Sequence, residues 1–384
     1  NQQTPTEERE REEKREGSTR SLSGMSAEVV VLEYADLLQG KDLGAEIEAA
    51  FGFHGIGLLV VKNVPEFVEK RAAALPLAFQ FGNLPEEVRS KYEVPSTRYN
   101  IGWSHGKEKL ESGRPDYGKG SFYFNPVTDV PTTDEKLLQE QPENLAPNVW
   151  PTEDLPSLEP ACKELSSLIM SVGKLVARQC DAYVKSKLDA YKEAHLESII
   201  STSLCQKARL LYYFPSATFA DQFTSEDPDS WCGWHNDHGS LTGLCSAMFF
   251  DEKGNETDAP DPKGGLYAKN RAGEVVKVKI PKDCLAFQIG EAAQVHSGGI
   301  LRATPHCVRA MTTPESVSIG RATMAVFMEP DYDTIMAPPQ GVDPKSVEVG
   351  AYHAECTFGE FSLRTFDRYY ESGSGSSIEG ASSS

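Results

Sequence analysis

Trp231-Cys232-Gly233-Trp234-His235-Asn236-Asp237-His238-Gly239-Ser240-Leu241-Thr242 is the stretch that decides how this chain folds. An aromatic run leads into a His-x-Asp pair, and a Gly-Ser turn leads out of it into further apolar residues. Residues two apart on a strand share a face, so His235 and Asp237 are expected to reach one metal ion from the same side. A second His on another strand would complete a facial set of two imidazoles and one carboxylate. Such a set leaves positions open on the metal and suits non-haem Fe(II).

Around this stretch the sequence reads as strands. Arg209 to Phe214 is a β-type run ended by Pro215. Leu244 to Phe250, Gly265 to Tyr267, Val276 to Ile280, Cys284 to Ile289, Cys307 to Met311 and Arg321 to Met328 follow. In Val276-Lys277-Val278-Lys279-Ile280 the apolar residues alternate with lysines, one face buried and one wet. Closely spaced short strands indicate a sandwich or barrel, and a His-bearing one fits the jelly-roll class that includes cupins. The expected fold is mainly β with flanking α: a distorted double-stranded β-helix (jelly roll) core with outer helices.

The helices fall mostly before this core. Leu165, Leu168, Ile169, Val172, Leu175 and Val176 form a buried stripe on a helix from Leu158 to about Leu188. A shorter helix is expected over Gly44 to Phe51, and one over Glu66 to Phe81 that Pro76 should kink or split. Val29 to Leu32 and Gly55 to Val61 read as strands, and Phe358 to Tyr370 as a closing aromatic helix. From Ser96 to Pro151 the chain is rich in Gly, Pro and aromatics, which fits a long surface connection or one wall of a pocket.

These features divide the chain into a polar, disordered tail over 1–24, one domain over 25–371 and a flexible Ser/Gly tail over 372–384. Within the domain, 27–200 is helix-rich, 205–330 holds the jelly-roll core and 331–371 is a C-terminal helical segment. A formal net charge of −19 argues against nucleic acid, whose phosphates call for a basic face. No apolar run is long enough for a membrane span. The eight cysteines contain no C-x-x-C and read as reduced thiols of a cytoplasmic protein. A monomer acting on a small-molecule substrate is expected.

His296, in Val295-His296-Ser297-Gly298-Gly299, and His306, opening an apolar run, both qualify as the second imidazole, and local chemistry leaves the choice open. Arg321-Ala322-Thr323 places a guanidinium and a hydroxyl on one strand face, where an Arg fork can grip a carboxylate. Tyr213 could add its phenol to the same carboxylate. His238 reads as a turn residue beside the site, and Trp231 and Trp234 as packing. His54, His105, His195 and His353 have no partner in sequence.

In this order the segments resemble the plant-type 2-oxoglutarate/Fe(II) dioxygenases of the isopenicillin N synthase-like family. The family's His-x-Asp, Gly-rich turn and Leu-Thr pair match His235 to Thr242. Its "GD…SNG…K/R-S/T-x-x-HRV" segment matches Gly290-Glu291, Ser297-Gly298-Gly299 and Arg302-Ala303-Thr304-Pro305-His306-Cys307-Val308, which selects His306 as the second iron ligand. Its Arg-x-Ser matches Arg321-Ala322-Thr323, and its Asn-x-Tyr-(x)-Pro strand matches Leu211-Tyr212-Tyr213-Phe214-Pro215. The resemblance runs from about Val29 to Tyr370. Three departures stand out: Leu211 for Asn, Thr323 for Ser, and a long interval between Asp237 and His306 in which Asp251 to Lys263 reads as a surface insertion.

The resemblance implies Fe(II) held by His235, Asp237 and His306, with 2-oxoglutarate anchored by Arg321, Thr323 and Tyr213. It implies molecular oxygen as oxidant, ascorbate as reductant in vitro, and oxidation of a small organic molecule coupled to 2-oxoglutarate decarboxylation. Hydroxylation is the default outcome, with desaturation or ring closure also open to the family. Tyr99 to Trp103 and Phe122 to Phe124 match its variable, substrate-facing part, so an aromatic pocket wall is expected. Leu211 keeps open an oxidase of this fold that uses no 2-oxoglutarate, and a metal-binding sensor without turnover is the other alternative.

Overall fold

Side-chain alternation along the strands decides how the layers stack in the computed structural model, which describes residues 29–109, 115–218, 230–259, 261–311 and 313–370. The tails expected over 1–24 and 372–384 lie outside the described residues. The strands are β1 (Val30–Glu33), β2 (Leu58–Lys62), β3 (Gly102–His105), β4 (Lys119–Phe124), β5 (Lys207–Tyr213), β6 (Ser230–His235) and β7 (Leu241–Cys245). They continue with β8 (Met248–Phe250), β9 (Glu256–Thr257), β10 (Gly265–Lys269), β11 (Val275–Lys277), β12 (Leu285–Ile289), β13 (His306–Arg309) and β14 (Gly320–Met328).

Two sheets form the centre among the described residues. The larger runs β1-β2-β12-β7-β14-β5-β4-β3, with β8 paired to β14 and β9 to β8, and the smaller runs β11-β10-β13-β6. On β5, Ala208, Leu210 and Tyr212 enter the main apolar core, while Leu211 and Tyr213 face the smaller sheet and pack with Trp231 and Val308. On β14, Ala322, Met324, Val326 and Met328 enter the main core and Ala325 faces the smaller sheet. By the same period of two, Arg321, Thr323 and Glu329 belong to the inner face, as do Lys207 and Arg209 of β5.

The helices that bear on the core and the site are α1 (Gly44–Phe51), α2 (Phe67–Gly82), α3 (Leu158–Lys187), α4 (His195–Thr202), α5 (Glu291–His296) and α6 (Phe358–Tyr370). The stripe of α3 is buried at Leu165, Ile169, Val172 and Val176 against the outer face of the large sheet. Fully burying one such side chain contributes roughly 2 kcal/mol, so the stripe ties α3 firmly to the sheet. Glu159 in its first turn and Lys185 and Lys187 in its last complement the helix dipole. α2 runs unbroken through Pro76, its halves held by Leu75, Leu77, Ala78 and Phe81 on the core side. The expected split does not occur.

The Gly/Pro-rich stretch supplies two strands, β3 and β4, at the edge of the large sheet. Three of its aromatics correct the expected pocket wall. Trp103, Phe122 and Phe124 lie in the main core, with Phe81 5.1 Å from both Trp103 and Phe122. Tyr99 carries Lys107 over its ring. Tyr123 alternates with Phe122 and Phe124, and its ring lies 4.9 Å from the Arg209 guanidinium. Within the expected insertion over Asp251 to Lys263, residues 251–259 are largely exposed.

Candidate metal centre

β6 and β13 pair antiparallel with His235 directly opposite His306, and the two rings lie 4.2 Å apart. Cross-strand register thus juxtaposes residues far apart in the chain. Asp237 arrives differently from the sequence expectation. β6 ends at His235, and Asp237 sits in the following turn rather than two places along the strand.

The N-terminus of α5 pins that turn. Glu291 N–H donates to the Asp237 carbonyl at 2.8 Å, Ala292 N–H to Gly239 at 3.1 Å and Gly290 N–H to Ser240 at 3.1 Å. A Cβ on Gly290 would lie 2.1 Å from the Gly239 carbonyl oxygen, so this approach requires glycine. Asn236 adds a side-chain bond to Glu291 at 2.9 Å.

The result is a cluster of His235, Asp237 and His306 whose ligand atoms lie within 4.8 Å of one another. Asp237 Oδ1 is 3.8 Å from His235 Nε2 and 3.7 Å from His306 Nε2. Adjacent ligands on one ion with bonds of ~2.1 Å lie about 3 Å apart, so each of these two carboxylate–imidazole distances is within ~1 Å of that spacing. Each imidazole is oriented through its other nitrogen. His235 Nδ1 pairs with the Gly233 carbonyl at 2.8 Å, and His306 Nδ1 with Gln288. The Gly233 carbonyl leaves His235 Nε2 for a metal, and the Gln288 amide does the same for His306 once its unpaired Oε1, rather than its nitrogen, is turned to Nδ1–H.

Burial alone would raise the Asp237 pKa, but His306 and His235 bring it below the usual carboxylate range. Burial and His235 together push His306 down to about 4. His235 is pushed up to about 9 against its burial, by Cys232 and Asp237. The three groups therefore depend on one another for their charge, as expected of donors built to share a cation.

His296 is elsewhere. It is buried on α5, 4.9 Å from the ring of His195, with Nε2 3.4 Å from the Ile335 carbonyl. His238 faces Glu329 at 3.4 Å, Ser362 at 3.2 Å and the ring of Phe358 at 5.7 Å.

Arg321 lies opposite Tyr213 in the β5–β14 ladder. Its guanidinium carbon is 4.8 Å from the Tyr213 ring and 5.9 Å from the Trp231 ring. Arg321 is only 7% exposed, yet its Nε and Nη1 have no hydrogen-bond partner among the described residues. A buried guanidinium with two idle donors fits a carboxylate. Trp231 stands on β6, the strand that ends at His235, so the guanidinium packs against the same strand that carries a member of the cluster. Thr323 shares the face, but its hydroxyl donates to the Cys245 carbonyl at 2.9 Å. Leu211 is opposite Thr323.

Lys119, Lys207, Arg209 and Glu329 escaped the sequence reading. Each carried a usable signal, the strand parity it shares with Tyr213 or Arg321. A cavity of about 470 Å³ and a smaller one of about 130 Å³ open around Arg89 and His105, and no residue of the cluster lines either. All eight cysteines are free thiols.

Neither protein-family models nor curated proteins match the sequence. Solved structures do. A full-length Neurospora crassa protein in complex with alpha-KG superposes with a TM-score of 0.65 at 19% identity, over 90% of this chain and 98% of that one. A 2OG-Fe(II) oxygenase family protein from Caulobacter crescentus gives 0.63 at 19% identity, over 90% and 99%. The fold is that of the 2OG-Fe(II) oxygenases. JOX2 in complex with 2OG, Fe and JA is also similar, with a TM-score of 0.60 at 16% identity over 90% and 87%. No helix among the described residues of this oxygenase-fold chain is long and apolar enough to cross a membrane.

Proposed function

We propose that this chain is a non-haem Fe(II) oxygenase that oxidises a small organic molecule at the expense of 2-oxoglutarate, with residues 25–371 as one catalytic domain around a distorted jelly roll. The observation that carries the proposal is the pairing of a two-His, one-carboxylate cluster with a buried Arg321, two of whose donors are idle, on the inner face of the same core. His235, Asp237 and His306 would hold Fe(II) from one side. Bound Fe(II), with 2-oxoglutarate and oxygen, supplies the oxidation of a C–H bond, with hydroxylation as the default outcome.

The protein's own groups then have defined tasks. Gly233 and Gln288 keep the imidazoles turned toward the metal. Arg321 donates from its guanidinium to the far carboxylate of 2-oxoglutarate, and Tyr213 supports it. Thr323 joins them if its hydroxyl turns from Cys245. Trp231 packs over the guanidinium and keeps water from it, which strengthens the charge pairing.

A second possibility, an oxidase that uses no 2-oxoglutarate, is favoured by Leu211 in place of Asn, since Leu offers no hydrogen bond there. The orphaned donors of Arg321 weigh against it. The test is aerobic incubation with Fe(II), ascorbate and 2-oxoglutarate, with succinate measured. Succinate formation that is lost in His306→Ala supports the proposal, and its absence from wild type rejects it.

A further inference from the structure

Besides the cluster and Arg321, the inner face carries two sets of charge that the proposed reaction has not used. The first is closed on itself. Glu108 binds Arg209 at 2.6 Å and Lys119 at 2.7 Å, Asp116 lies 3.4 Å from Lys119, and Arg209 Nε also donates to Ser121 at 2.9 Å. Two cations face two carboxylates, so this set has no charge to spare for a ligand.

The second set is open. Lys207 pairs with Phe327 in the β5–β14 ladder, so Glu329, two residues on, is its diagonal neighbour on the same face. Lys207 is 3% exposed and Glu329 5%. Among the described residues no ion pair within 4.0 Å joins them, although each lies in the field of the other. The Lys207 ammonium has three donors and gives one, to the Glu143 carbonyl at 3.1 Å. The Glu329 carboxyl makes no described side-chain hydrogen bond, and its near neighbour is His238 Nε2 at 3.4 Å. Because His238 adjoins Asp237 in sequence, the carboxyl stands beside the proposed metal site.

A donor with hydrogen-bonding capacity to spare and a carboxyl acceptor thus lie as diagonal neighbours in a buried wall. An anionic ligand would satisfy Lys207 and be repelled by Glu329, and an amine would do the reverse. A cis-amide edge presents a C=O acceptor next to an N–H donor and satisfies both. The pair sums to zero charge wherever its proton resides, and among the described residues Arg321 makes no ion pair with a carboxylate and is already reserved for the co-substrate.

We propose that the substrate is an uncharged molecule with a cis-amide or cyclic imide edge, its carbonyl taking a hydrogen bond from Lys207 and its N–H giving one to Glu329. The proposal rests on the oxygenase function above and names the substrate class of that same site.

The test uses the full chain loaded with Mn(II) and saturated with 2-oxoglutarate. Paramagnetic broadening of probe protons reads binding near the metal, and Zn(II)-loaded protein is the control. The probes are uracil and 2-pyridone as cis-amides, phenylacetate as an acid and benzylamine as an amine. Both amides should be broadened and should bind at least tenfold more tightly than the acid or the amine. Lys207→Met, Glu329→Met and the double variant should each weaken the amides at least tenfold while 2-oxoglutarate affinity holds. Glu329→Gln keeps an acceptor and should retain most of the binding. If wild type binds phenylacetate or benzylamine as well as the amides, or binds no amide, the substrate class is wrong even if every variant misfolds. Should 2-oxoglutarate itself fail to bind the metal-loaded protein, both the function and the substrate class are overturned.

Discussion

Replacing Arg321 by Met should separate two effects that normally travel together, ligand affinity and folding stability. Arg321 is 7% exposed with Nε and Nη1 idle, so the ligand-free protein carries two unmet buried donors. Each such donor costs about 1–3 kcal/mol. Met fills similar volume and removes that cost, so ligand-free Arg321→Met should be as stable as wild type or more stable by ~1–2 kcal/mol. With 2-oxoglutarate the order reverses. Two charge-assisted hydrogen bonds at about 1.5–3 kcal/mol each amount to roughly 3–6 kcal/mol, a loss of at least about a hundredfold in affinity. At a ligand concentration near a hundred times Kd, wild type gains about 2.7 kcal/mol, seen as a rise in Tm of roughly 5 °C or less. The assay is thermal unfolding of Mn(II)-loaded protein with and without 2-oxoglutarate, paired with calorimetric titration. Arg321→Lys keeps the charge without the fork and should fall between the two. The reasoning is refuted if Arg321→Met unfolds several degrees earlier without ligand, or if it keeps the 2-oxoglutarate shift.

Three further outcomes follow from the geometry. His306→Ala should abolish most Fe(II) or Mn(II) binding in equilibrium dialysis while His296→Ala keeps it, because His306 stands opposite His235 and His296 packs on His195. The opposite result would reassign the second ligand. Gly290→Ala should weaken metal binding at least tenfold with far-UV dichroism intact, since its Cβ would force the Gly239 carbonyl and the Asp237 turn away. Unchanged metal affinity would show that the turn is not held by this approach. Glu108 offers a pH test. Burial would raise its pKa, but Arg209 and Lys119 bring it down to about 2 from the usual 4.5. A depressed carboxyl contributes stability that is present above its unfolded pKa and lost as pH falls through its folded pKa. Wild type should therefore lose roughly 3 kcal/mol from this group between about pH 4.5 and 2. Glu108→Gln should show a shallower decline over that window in urea unfolding, and parallel curves would mean that the ion pairs contribute nothing.

Much of the scaffold was legible because it depends on short-range periods. The stripe from Leu165 to Val176 predicted α3 closely, since each turn repeats locally whatever the partner. Strand alternation placed Arg321 and Thr323 on one face for the same reason. α5 was missed because it is six residues long, too short for a helical period to emerge. β3 and β4 were hidden by the glycines and prolines around them.

What the chain alone determined was which side chains share a face and which residue types were available for a metal and a carboxylate. Local chemistry left His296 and His306 equal, and only the β6–β13 register set His306 against His235. Only tertiary contact showed that α5 holds Asp237 in a turn, that Trp103 and Phe122 face away from the site, and that Lys207 and Glu329 are neighbours. The physical reason is range. A residue's own period is set by bonds to its immediate neighbours. The register between strands separated by many residues is set by how whole faces bury their apolar area, which no local window contains.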